Sequence, residues 1–188
     1  WNSCNMRRNI LGNTGTPSNP PVNTLLAALP ADLRAVMKPV TKYTDNTANG
    51  TSVASNVTGT TDYLFLLAEF ECWGTRYYAN SAEQNYQLQY DYYKAGNSKI
   101  HYKHSATGTA VVAWLRSPYY NNNNNFCEIN NNGNYNNNNA SWSGAVAPGF
   151  CYARSNGVAG RDKSRPGERR PKQKEIYCPG YPIPKTAL

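Results

Sequence analysis

Thirteen of the 21 residues from Tyr119 to Asn139 are asparagine, in the run YYNNNNNFCEINNNGNYNNNN, and the run lies between two apolar-rich segments, AWLRSP and AVAPGFC. Asparagine forms helices and strands poorly because its amide competes for backbone hydrogen bonds. Such a run ordinarily reads as turns, disorder or an aggregation-prone tract. Here Phe126, Cys127, Ile129 and Gly133 interrupt it, and it ends at Trp142. The expectation is therefore an anchored surface, with its backbone held in place and its exposed side chains free to vary.

A surface of that kind needs a body, and 188 residues suffice for one sizeable core with an appendage, not for two ordinary domains. Hydrophobic residues make up 39% and charged residues 16%, and Asn, Thr, Ser and 15 Tyr fill the gap, so the exterior should be polar but uncharged. The net charge of +8 is unevenly spread: residues 1–153 hold 10 Lys/Arg against 8 Asp/Glu, about +2, and residues 154–188 hold 9 against 3, about +6. The body therefore has no nucleic-acid signature. The basic run RDKSRPGERRPKQKE lacks interleaved aromatic residues for base stacking, so 154–188 reads as a disordered or loosely attached extension.

No run of about 18 apolar residues occurs, so no membrane span is expected, and the start at Trp1 carries neither part of a signal peptide. The missing initiating Met reads as a fragment or processed chain. Cys4, Cys72, Cys127, Cys151 and Cys178 form no CxxC pair and are odd in number, against a zinc site and against a complete disulfide framework. Cys127 and Cys151 flank the Asn region, and either buried thiols or a cross-strand bridge would fit.

Along the body, residues 1–11 predict a short packing element and 12–22 a loop. Thr24 to Met37 has nearly helical apolar spacing, with Asn23 or Thr24 as cap and Pro30 imposing a kink or two successive short helices. After Pro39 a strand and then a long loop are expected. YLFLLAEF, from Tyr63 to Phe70, reads as a buried strand or short helical turn. Ser81 to Ala95, opened by a capping Ser81 and closed by Gly96, predicts a helix. Lys99–His104 and Ala110–Leu115 read as strands.

No catalytic constellation emerges. His101 and His104 would face opposite sides of a strand, so a joint metal site is not expected. Glu69, Glu71 and Cys72 lack a third partner at recognisable spacing and read as structural. Arg116 in WLRSP, with five fixed donors, should satisfy carbonyls or a carboxylate.

The succession LPADLRAVMKPVTKYTDNT, TDYLFLLAEFECWGTRYYANSAEQ, WLRSP and GAVAPGFC resembles the variable proteins of diversity-generating retroelements, over roughly residues 1–153. WLRSP alone also marks a broader group of uncharacterised domains; followed by an Asn/Tyr-rich block and APGFC it is more specific. In that family a reverse transcriptase substitutes bases at adenines, and Asn codons then yield Tyr, Ser, Asp, His, Thr or Ile without a stop. The resemblance implies an α+β, C-type-lectin-like fold with two main helices and short antiparallel strands over 1–153. It also implies a hypervariable surface formed by Tyr119, Tyr120, Asn121, Asn122, Asn123, Asn124, Asn125, Asn130, Asn131, Asn132, Asn134, Tyr135, Asn136, Asn137, Asn138 and Asn139. Phe126, Cys127, Gly133 and Trp142 would be scaffold.

The function implied by the resemblance is that of a receptor-binding or adhesin protein of a virion or cell surface. It would bind a protein or glycan on a target cell, without catalysis, metal or cofactor. The formylglycine-generating enzymes share the related fold, but no matching pair of reactive cysteines stands here. The competing reading is a low-complexity, Asn-rich structural protein that self-assembles.

Overall fold

Pro30 divides the first helical segment in two, as its missing N–H and fixed φ require. In the computed structural model, which describes residues 1–154 and 175–177, α1 is Leu25–Ala28 and α2 is Ala31–Val36. Thr24 caps α1, its hydroxyl accepting the Ala27 N–H. A π-helical turn at Met6–Ile10 precedes them. The chain then runs into β1 (Met37–Lys38) and β2 (Val40–Asp45).

The long loop expected after β2 is shorter than the sequence suggests. A second strand, β3 (Val57–Asp62), pairs antiparallel with β2 from Val40↔Asp62 to Asp45↔Val57. Its sequence, VTGTTD, conceals the alternation because the inward positions after Val57 are Thr60 and Asp62, both buried. YLFLLAEF starts extended, with Phe65 bridged to Gly149, and turns into α3 (Glu69–Trp73).

The helix expected over Ser81–Ala95 does not form as one piece. A 3₁₀ turn at Ser81–Asn85 and the short α4 (Asp91–Lys94) flank an extended stretch. Tertiary partners replace the helical ladder there: Tyr90 N–H donates to Glu71 O at 3.0 Å, Gln87 Nε2 to Tyr43 O at 2.9 Å, and Tyr86 stacks on Tyr43 at 4.4 Å. The two main helices expected are thus absent from the described residues, where no α-helix exceeds the 6 residues of α2.

β4 (His101–Lys103) and β5 (Ala106–Val111) form a hairpin, and β6 (Ala113–Pro118), β7 (Asn125–Ile129) and β8 (Tyr135–Asn139) form a three-stranded antiparallel sheet in that order. The apolar strand expected over Ala110–Leu115 is split between β5 and β6. β9 (Cys151–Arg154) pairs with β1, and β10 (Glu175–Tyr177) pairs with the other edge of β9. Of the 154–188 extension, Arg154 and Glu175–Tyr177 are described, both in strand, and the reading of the rest as disordered or loosely attached lies outside the described residues. The architecture is mixed helix and sheet with short antiparallel strands, and no helix among the described residues is long and apolar enough to cross a membrane.

Two apolar clusters meet at β6. Trp114 joins Trp1, Leu11, Leu26, Met37, Leu64 and Leu66; Ala113 and Leu115 join Phe70, Cys72, Ala79, Cys127 and Ile129. A polar network adjoins these clusters. Arg116, fully buried, donates to both oxygens of Glu71, to Leu66 O at 2.7 Å and to Thr44 Oγ1 at 2.8 Å. Lys42 Nζ reaches Glu71 at 3.1 Å and the Tyr90 hydroxyl at 3.2 Å.

Glu83 is a carboxyl of that interior that changes charge near neutral pH. It is fully buried and accepts from Asp45 N–H (2.9 Å), Ser117 Oγ (2.6 Å) and Gln87 Nε2 (2.8 Å). Burial pushes its carboxyl up to about 7 against those hydrogen bonds. The folded chain therefore holds a proton that the unfolded chain releases near the ordinary Glu range. The stability from this group is fully present below that range and is lost as pH rises through about 7. We expect urea denaturation to show a loss of up to about 3 kcal/mol from this group between pH 5 and 8. Glu83→Gln should flatten that slope, and an unchanged slope would show that other groups set it.

Candidate functional site

The Asn run is folded into a hairpin, β7–β8, with a loop on either side. Register pairs Asn125 with Asn139, Phe126 with Asn138, Cys127 with Asn137, Glu128 with Asn136 and Ile129 with Tyr135. Each pair thus contains at least one residue of the predicted variable set. The inward positions fall to the interrupting residues. Cys127, Glu128 and Ile129 are buried, and Phe126 packs on the first cluster. Gly133 adopts φ +79° in the connecting turn, where a β-carbon would be strained.

All sixteen predicted display residues lie at the surface in the structure: eight are exposed, eight are half-buried and none is buried. Asparagine is suited to this backbone because its amide can close turns. Asn122 Oδ1 accepts Asn124 N–H at 2.8 Å, Asn130 Oδ1 accepts Asn132 and Asn134 N–H at 2.9 and 3.0 Å, and Asn139 Oδ1 accepts Ser141 N–H at 3.0 Å. Across the hairpin Asn125 Nδ2 donates to Asn137 Oδ1 at 2.8 Å.

Trp142 departs from expectation. It is 64% exposed and belongs to neither apolar cluster of the described residues, because the chain has already left the sheet at Asn139. The anchor at this end is Gly144, where a β-carbon would sit 2.7 Å from the Trp114 indole nitrogen. The flanking cysteines are not bridged to each other, since Cys127 is a free thiol and Cys151 is disulfide-bonded.

A part of the site that sequence reasoning misses comes from the end of α3 and the loop after it. Trp73, Tyr77 and Tyr78 pack against Tyr135, with Tyr77 and Tyr135 stacked at 3.4 Å between centroids, and Tyr78 meets Tyr119 at 5.2 Å. The Arg76 guanidinium lies 4.1 Å over the Tyr120 ring. Glu69 holds this loop from below: its buried carboxylate accepts the backbone N–H groups of Tyr77, Tyr78 and Ala79 at 2.8–3.0 Å. The only signal in the sequence is the aromatic density of WGTRYY, which has no periodicity to place it on a face.

The residues considered for chemistry are structural in their contacts. Glu69 and Glu71 bind different partners, and burial raises the Cys72 and Cys127 thiols well above the ordinary range, which disfavours the nucleophilic thiolate. His101 lies on β4 and His104 in the turn after it. Among the described residues no group of three or more His, Cys, Asp or Glu is placed to hold a metal.

One display position is not free. Asn136 Nδ2 donates to Glu128 Oε1 at 2.7 Å, Glu128 is 1% exposed, and its Oε2 has no partner. Burial raises the Glu128 carboxyl. Asn136→Asp would set a second acceptor against it, with an expected loss of about 1–3 kcal/mol that lessens at acid pH. Asn131→Asp, in the exposed turn, should be nearly silent in the same thermal melt.

Residues 1–153 match a protein family described as a domain of unknown function (DUF6273). No curated protein and no solved structure matches the chain.

Proposed function

We propose that this chain, which belongs to the DUF6273 family, is a hypervariable ligand-binding protein of receptor-binding or adhesin type, with a C-type-lectin-like body, diversified by adenine-directed mutagenesis. The observation that carries this reading is the partition within the tract. Every Asn and Tyr named for variation reaches the surface, and the interrupting Phe126, Cys127, Glu128 and Ile129 face inward or pack on the core. The inward residues are consecutive on β7, which is covered on both faces at Cys127–Ile129, whereas the named Asn and Tyr lie on β8, at the start of β7 and in the flanking loop and turn. Asn and Tyr also suit recognition: Tyr gives large contact area at low entropic cost, and Asn gives adaptable donors and acceptors. Burial of the thiols supports binding over cysteine chemistry.

The test is to sequence this gene across its source population and tally changes by codon. Substitutions should concentrate at adenines in codons 119–139 and spare Phe126, Cys127 and Gly133, with Asp depleted at Asn136. An even scatter would overturn the reading. A companion measurement replaces Asn122 and Asn125 by Ser or Asp and Asn121, Asn123 and Asn124 by Tyr, which should leave stability within about 0.5 kcal/mol.

One observation favours the alternative of self-assembly. Among the described residues β8 is paired on one side only, and its sequence YNNNN has no charge or proline to deter a further strand. Sedimentation independent of concentration would dismiss it. Association abolished by Asn137→Lys would support it.

A further inference from the structure

We propose that Arg76 is a fixed anion-recognising anchor, and that it restricts the ligands of the variable surface to acidic saccharides. The inference rests on the display reading above. Arg76 lies outside the variable tract, so diversification leaves the residue and its bond to Ala79 O unchanged, although Tyr120, on which its plane stacks, is itself a variable position. It is half-buried, with Nε bonded to Ala79 O at 2.8 Å and its plane stacked on Tyr120, while its terminal nitrogens have no partner among the described residues.

Among the described residues no carboxylate pairs with Arg76. None of the sixteen variable positions is charged, Glu69 is occupied by three backbone N–H groups, and Glu128 is buried behind Asn136. A planar guanidinium so presented matches a carboxylate through two parallel hydrogen bonds. The surroundings select the kind of molecule that carries it. The variable positions are all Asn or Tyr, with no aliphatic side chain to form the apolar centre of a protein interface. Amides and phenols are suited to a ring of hydroxyls. The fixed loop would thus set the negative charge of the ligand, and the Asn and Tyr of this copy of the tract its saccharide character.

The experiment titrates the full chain with 3′-sialyllactose, lactose and a hexaglutamate peptide by NMR. Sialyllactose should bind about tenfold more tightly than lactose, the worth of one charge-assisted pair. Arg76→Gln should erase that ratio while the chain stays folded, with a small loss of melting temperature from the Ala79 bond and the Tyr120 stack, and Arg76→Lys should keep only part of the ratio. Variants changed at Asn121, Asn123, Asn131 and Asn132 should alter affinity but retain the ratio. Equal binding of both sugars, no sugar binding at all, preference for the peptide, or an unaffected Arg76→Gln would each overturn the anchor. Adenine-directed substitution in the population with no acidic preference would fail the anchor alone; a preference without such substitution would fail the diversification reading alone.

Discussion

Glu71→Gln should destabilise the fold by about 3–5 kcal/mol, the cost of removing one member of a buried ionic cluster. Glu71 is fully buried and receives the Arg116 fork, the Lys42 ammonium and the Ala68 N–H. Burial by itself would raise its carboxyl, but Arg116 and Lys42 hold it down at about 2. With a neutral amide in its place, two cations would be left in the interior. Burial already lowers Lys42 to about 8, so it could shed its proton, whereas Arg116 cannot. The measurement is the urea midpoint at constant slope, and a loss below about 1 kcal/mol would mean the cluster is solvated. The linkage sign is that of a depressed carboxyl: its contribution is complete above the ordinary Glu range and fades as pH falls toward about 2. Replacing Glu71, Lys42 and Arg116 together by Leu, Met and Met should recover much of the loss, since no charge is then left unpaired.

Trp114→Ala is the second large effect, about 3–5 kcal/mol. The indole is 8% exposed and packs in the cluster with Trp1, Met37 and Leu66, and the Trp114 backbone N–H donates to Ala145 O at 3.1 Å. Its loss would open a cavity where the body meets the β7–β8 hairpin, so calorimetry should show a lower and broader transition. The comparison that matters is with the Asn121–Asn125 exchange. If both changes cost alike, the tract is part of the core and the display reading is wrong. Gly144→Ala provides a control on geometry, because the added methyl would press on the indole without removing it.

Features carried by local chemistry are legible in the sequence. Pro30 announces two short helices, WLRSP a buried arginine serving carbonyl and carboxylate, and the interruption of the Asn run by Phe126, Cys127 and Ile129 a tract tied to the core at those residues. Features settled by distant partners are hidden. β3 has threonine and aspartate as its inward residues, so the apolar pattern that marks a strand is missing. Residues 86–90 carry helix-compatible spacing, but Tyr43, Glu71 and Glu83 offer the backbone and side chains better bonds than a helix would. Trp142 reads as an anchor from its size alone, and the turn at Asn139 leaves it outside. The aromatic loop at Trp73–Tyr78 acquires its place only because Glu69, fixed in α3, grips the backbone beneath it.

The turn-closing amides of Asn122, Asn130 and Asn139 have a consequence at the level of the genetic code. If these codons are rewritten at adenine, each can become Asp, Ser, Thr, His, Tyr or Ile. The first three keep a short side-chain oxygen that can accept the same N–H, and the last three do not. At those three codons a random base change would therefore choose between two loop shapes as well as among side chains. The repertoire would vary in contour at a few hinge codons and in surface chemistry at the others.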